Sequence, residues 1–158
     1  MPAKTLVFAF MSFLHELFTV IWMGGLIVTV LSYLPALKET LEPGQAVKKV
    51  MDAFLKHQSK WVYISMGGLI LTGLLISKRS PEFAQLFGFG NAFSTVLSIK
   101  HMLVILMIGT TLYRSLIVNN PKAAASPKKG KLSFLLLKIN VVLAIAVLFT
   151  SGLINALA

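Results

Sequence analysis

Four long apolar stretches constrain this chain more than any other feature it has. Runs of about 18 or more apolar residues argue for helices that cross a bilayer. Such runs occupy roughly Leu6–Leu34, Trp61–Ile76, Ala92–Val118 and Leu132–Leu157. In hydrocarbon every backbone N–H and C=O needs a partner inside the protein, which leaves helices or a closed barrel, and no strand-like alternation occurs anywhere in the chain. The second run is slightly short, and it reaches across only if its helix continues through Ser77 or starts before Trp61. A soluble domain of 158 residues would be less apolar than 56% and more charged than 13%. Little lies outside the four runs, so the expected fold is all-α. It is a single transmembrane domain over residues 1–158, an up-down-up-down four-helix bundle with no soluble appendage. The first run is too long for a signal peptide and no small-residue cleavage site follows it, so it reads as a retained helix.

The net charge of +10 raises nucleic acid as a partner, but the placement of the charges points to lipid. Lys38, Lys48, Lys49, Lys56 and Lys60 lie between the first two segments, and Arg114, Lys122, Lys128, Lys129 and Lys131 lie around the connection between the last two. Between the middle two stand only Lys78 and Arg79. The positive-inside rule then makes the first and third connections cytoplasmic and both termini external, in a plasma (inner) membrane. The same cations would attract anionic headgroups. With no cysteine in the chain, disulfides, thiolate metal sites, thiolate haem ligation and covalent c-type haem are all excluded.

Several local features carry expectations. Pro35 is expected to end the first segment. Pro43–Gly44 signals a turn or helix start. Val47, Val50, Met51, Phe54 and Leu55 then recur at helical spacing opposite Lys48, Lys49, Asp52 and Lys56, as in an amphipathic helix on the inner leaflet or an extension of segment two. His57 belongs to this polar stretch and reads as exposed. Gly24 and Gly25 on segment one, and Gly67, Gly68, Thr72 and Gly73 on segment two, are small residues that allow close helix approach. The string Met-Gly-Gly-Leu-Ile occurs at both Met23–Ile27 and Met66–Ile70. Phe83, Phe87 and Phe89 are expected against the outer bilayer surface, and Pro121 to Lys131 as a flexible loop.

His15 and His101 are the candidate functional residues. An ionisable group at membrane depth is costly and marks a site by default. Each histidine lies roughly two to three turns inside its segment. Segments one and three run in the same direction, so both rings lie at one depth, in the outward half of the membrane. Two neutral imidazoles from parallel helices are what a b-type haem iron needs. Phe8, Met11, Thr19, Trp22 and Leu26 share the His15 face, and Ser94, Leu97, Ile105, Ile108 and Leu112 share that of His101. Glu16 and Lys100 are charged neighbours of the two histidines. They read either as a proton relay, with contact to a haem propionate or quinone, or as an ion pair tying helices together. Met11, His15, His101 and Met102 form an alternative Cu(I) set. Helix-to-helix hydrogen bonding by the two histidines is the plain structural alternative.

Segment one reads His15, then Trp22 seven residues on, then Gly25–Leu26, and closes on Tyr33–Leu34–Pro35–Ala36–Leu37. Segment three reads Ile99–Lys100–His101–Met102–Leu103–Val104–Ile105. These residues resemble the membrane domain shared by copper-resistance D proteins and HemJ-type protoporphyrinogen oxidases. The resemblance implies b-type haem, with His15, Trp22, Gly25, Pro35 and Lys100 at the matching positions. In the oxidase pattern the proline follows the tryptophan more closely and an Arg comes next, whereas here Ala36 follows Pro35. The acidic residue expected in segment four is absent, with Lys138 and Asn140 as the strongly polar residues towards its inner end. The leading expectation is therefore a membrane b-type cytochrome, with His15 and His101 as metal ligands. Met11, Trp22, Glu16 and Lys100 would lie around the cofactor, and the partner would be a quinone or another redox protein, in a chain able to form oligomers. The alternatives are a haem-dependent protoporphyrinogen or quinol oxidase, a copper-handling protein, and a structural membrane subunit.

Overall fold

The computed structural model describes residues 3–42, 44–77, 87–118 and 127–157. Four helices account for nearly all of them: α1 (Ala3–Thr40), α2 (Gln45–Ser77), α3 (Ala92–Val118) and α4 (Pro127–Leu157). No strand occurs among the described residues, as the expected all-α class requires. All four helices are long and apolar enough to cross a membrane, and the chain is a multi-pass membrane protein. Large apolar side chains such as Val20, Leu31, Leu71, Val142 and Phe149 are more than 60% exposed, as lipid-facing residues are when hydrocarbon is the solvent. The chain forms two compact units, Met1–Ser80 and Pro81–Ala158. The first is a hairpin of α1 and α2, and the second a hairpin of α3 and α4.

Pro35 does not end the first helix. The chain stays helical to Thr40, and the reason lies just upstream. Val20–Gly24 and Thr29–Tyr33 are π-helical turns, in which each bond reaches one residue further than in an α-helix. The second closes with the Leu34 N–H on the Thr29 carbonyl, so the proline falls at the start of a fresh α-helical stretch, Leu34–Thr40. There its missing N–H and fixed φ are tolerated.

The second segment gains the length it lacked. The Val47–Leu55 stripe is no separate helix on the leaflet, because α2 runs unbroken from Gln45 through 33 residues. Lys49, Asp52, Lys56 and His57 are exposed along this extension while Met51, Phe54 and Leu55 are half-buried. At about 1.5 Å per residue, both α1 and α2 exceed a hydrocarbon core of about 30 Å, and they extend together. Tyr33 stacks on Phe54 with ring centroids 4.1 Å apart, and the Gln58 amide donates to Thr29 Oγ1 at 3.0 Å.

In the second hairpin, α3 starts where expected. Asn91 caps it, its side chain accepting from the Ser94 N–H at 2.7 Å while Ser94 Oγ accepts from the Asn91 N–H. The third connection is shorter than expected, since Lys128, Lys129 and Lys131 lie in the first turns of α4. Asn140 is buried and ties the hairpin together. Thr110 Oγ1 donates to its Oδ1 at 2.7 Å, and its Nδ2 donates to Thr111 Oγ1 at 3.3 Å. Lys138 is exposed, with Nζ 4.7 Å from the Phe134 ring centroid. Lys78, Arg79, Ser80, Pro81, Phe83, Pro121 and Lys122, like Pro43, lie outside the described residues.

Candidate functional site

His15 projects from α1 onto α2. Its Nδ1 lies 2.8 Å from Thr72 Oγ1, and Thr72 is 3% exposed. The Thr72 hydroxyl donates to the Gly68 carbonyl at 2.7 Å. A hydroxyl has one hydrogen and a carbonyl can only accept, so the Thr72 proton is committed to Gly68. Nδ1 of His15 must therefore be the donor to Thr72, and the lone pair of the neutral ring sits on Nε2. The ring lies edge-on to α2 at Gly73, where an added Cβ would come within 3.3 Å of His15 Cε1. One turn away, the Phe18 ring occupies the space a Cβ on Gly68 would need. Glycine at both positions thus lets α1 and α2 approach closely enough for the His15–Thr72 bond.

The rest of the α1 stripe follows the sequence reading. Phe8, Met11 and Thr19 are half-buried with His15, and Trp22 and Leu26 are buried. Thr19 Oγ1 donates to the His15 carbonyl at 2.8 Å. Trp22 is wholly inaccessible and lies in the first π-helical turn. Glu16 is exposed, on the side of α1 away from this stripe.

His101 reaches the same chemical state by another route. Its Nδ1 donates to the Leu97 carbonyl one turn back, at 2.8 Å. The carbonyl is an acceptor only, so here too Nδ1 carries the proton and Nε2 the lone pair. Phe87 meets this ring edge-on, with centroids 6.3 Å apart and planes at 66°. Phe87 thus packs in part on α3 while 45% of it stays exposed. The cause is Ser98, buried, whose hydroxyl accepts from the Gly88 N–H at 2.9 Å and lies 2.8 Å from the Gly88 carbonyl. These contacts pin residues 87–90 over the first turns of α3. Of the other residues on the expected His101 face, Leu97, Ile108 and Leu112 are half-buried, but Ile105 is 58% exposed. Lys100 is half-buried and Met102 is 49% exposed.

His15 and His101 belong to different units, as do Glu16 and Lys100. What the two histidines share is their tautomer, each enforced by an acceptor inside its own hairpin. Among the described residues no cluster of three or more His, Asp or Glu side chains forms a metal site. The sequence reading placed Thr72 and Gly73 among the small residues that let helices approach and Phe87 in the outer connection, but it did not connect them with the histidines, and it missed Ser98. A threonine, a glycine and a serine in apolar helices look like ordinary packing residues until the pairing of two helices is known.

Compared with known proteins, the chain matches no family model, no curated protein and no solved structure.

Proposed function

We propose that this chain is a b-type cytochrome of the plasma membrane with both termini outside, in which each hairpin supplies one axial imidazole to a haem. His15 would come from α1 and His101 from α3. The observation that carries this reading is the shared protonation pattern. A metal-binding histidine donates one ring N–H to a carbonyl, carboxylate or hydroxyl and presents the other nitrogen as the ligand. Both membrane-depth histidines of this chain donate through Nδ1 to an internal acceptor. The donor set also fits haem b in the absence of cysteine, since neutral imidazole suits a haem iron that is not covalently attached.

When bound, the haem supplies a one-electron couple. The protein's own part is to fix the ligands and keep water from them. Thr72 and Leu97 hold the two rings in the ligating tautomer. Gly73 admits the edge of His15, and Phe87 covers an edge of His101. Trp22 and Leu26 provide apolar packing along α1. Electron exchange with a quinone or another redox protein completes the reading, and the exposed Lys49, Lys56 and Lys60 suit an anionic leaflet. The resemblance of the His15–Trp22 and Lys100–His101 stretches to the copper-resistance D and HemJ-type domain supports the same choice of cofactor. For copper, the thioether of Met102 is half exposed and adjacent in sequence to His101, so the two point apart around α3.

The test is a reduced-minus-oxidised absorption spectrum of the full chain purified from haem-replete membranes. Narrow α and Soret bands of a low-spin haem are expected. A colourless protein that takes up no added haemin overturns the proposal, and one that also retains copper replaces it with copper handling.

A further inference from the structure

The seam between α1 and α2 carries polar side chains at regular steps. His15, Trp22 and Thr29 follow one another at seven-residue intervals on α1, and Thr72, Ser65 and Gln58 at the same intervals on α2. His15 is bonded to Thr72, and Thr29 to Gln58. The antiparallel register that makes those two pairs places Trp22 level with Ser65. The outer two pairs are satisfied by each other, and Thr72 and Thr29 also donate to the Gly68 and Gly25 carbonyls. The middle level differs. Trp22 and Ser65 are both fully buried, and Trp22 Nε1 and Ser65 Oγ have no hydrogen-bond partner among the described residues. Ser65 does not bond back to its own helix, as Ser59, Thr72 and Ser151 do.

Buried polar groups are almost always hydrogen-bonded, and each exception asks for an explanation. The indole N–H can only donate, while a serine hydroxyl can donate and accept. Two donors at one level of an apolar seam complement one atom with two lone pairs. No charged side chain lies among the seam residues at that level, which favours a neutral oxygen over an anion. Trp22 also sits in a π-helical turn, a feature found disproportionately at functional sites.

We propose that Trp22 and Ser65 form a binding site for one neutral acceptor oxygen inside the first hairpin, held by the indole N–H and the serine hydroxyl. The oxygen belongs either to a resident water or to the carbonyl of a membrane quinone. This site lies two helical turns from His15, about 10 Å along the axis, and stands independently of the iron-ligand reading.

The test uses the full chain with Trp61→Phe, which leaves Trp22 as the sole tryptophan of the two present. Ultraviolet resonance Raman reads whether the indole N–H is hydrogen-bonded, with and without menadione as the quinone probe, in this protein and in the same protein carrying Ser65→Gly. Circular dichroism confirms that both remain helical. A bonded indole that stays bonded in Ser65→Gly, with no response to menadione, identifies water, because the space left by the serine admits more of it. A saturable menadione response that shifts the indole to the bonded state, or quenches Trp22 in proportion, and that weakens about tenfold in Ser65→Gly, identifies a quinone carbonyl. Two outcomes overturn the proposal. One is an indole that is not hydrogen-bonded and ignores menadione. The other is an indole whose bond is lost in Ser65→Gly without any menadione response, which assigns the bond to Ser65 directly.

Discussion

Replacing Thr72 with valine is the most informative perturbation, because it changes one atom's chemistry and little of its shape. Thr72 is 3% exposed, and valine has nearly its shape, so the substitution opens no new space for a water to replace its hydroxyl. His15 Nδ1, now 2.8 Å from an oxygen, would face a methyl group. Polar bonds between membrane helices average about 0.6 kcal/mol and reach about 1.7 kcal/mol, so the hairpin should lose on the order of 1 kcal/mol and remain folded. The larger effect falls on ligand binding. Without its acceptor the ring is no longer held as the Nδ1–H tautomer, and losing such an outer partner typically costs 10–100-fold in metal affinity. Haemin titration followed at the Soret band should show a loss of about that size for Thr72→Val. Thr72→Ser keeps the hydroxyl and should lie within about threefold of the parent, a difference under about 1 kcal/mol. Nitrogen-15 NMR of the histidine rings should show the Nδ1-protonated form of His15 in the parent and a tautomer mixture in Thr72→Val. Equal haemin affinity in all three proteins, with an unchanged His15 signal, would refute the role assigned to Thr72.

Other expected outcomes concern packing. Gly68→Ala places a methyl group in the Phe18 ring and should destabilise the first hairpin by about 1–3 kcal/mol, as overpacking does; Gly67→Ala, with nothing within 4 Å of the added carbon, should be near neutral. Unfolding in mixed SDS micelles measures both. Asn140→Leu removes the bonds to Thr110 and Thr111 and should lower the stability of the second hairpin by about 1 kcal/mol in the same assay. His57→Ala alters an exposed side chain on the α2 extension, and the haem spectrum should not change.

Much of the fold was legible in the apolar runs, because hydrocarbon admits so few backbone solutions. The ends of the helices were less so. Pro35 reads as a stop when only local propensity is considered, and it continues the helix because a π-helical turn resets the bonding pattern just before it. The apolar stripe from Val47 to Leu55 reads equally as a surface helix or as an extension of segment two, and the unbroken run of α2 from Gln45, with Phe54 stacked on Tyr33 of α1, shows that it prolongs α2. The His15 face could be laid out from helical periodicity, and Trp22 and Leu26 are indeed buried along it. The acceptor for His15 could not, since the pairing with Thr72 depends on the register between two helices far apart in sequence. The Phe87 contact with His101 likewise depends on Ser98 gathering the preceding connection, which no periodicity reveals.

His15 and His101 are proposed to ligate one haem together, each through Nε2. Low-temperature electron paramagnetic resonance of the oxidised, haem-loaded protein tests this ligation most directly, in the parent and in His15→Ala and His101→Ala, each with and without added imidazole. A low-spin signal is expected in the parent, a high-spin signal in each variant, and recovery of the low-spin signal when imidazole fills the missing position. A low-spin signal that survives either substitution without imidazole would contradict it.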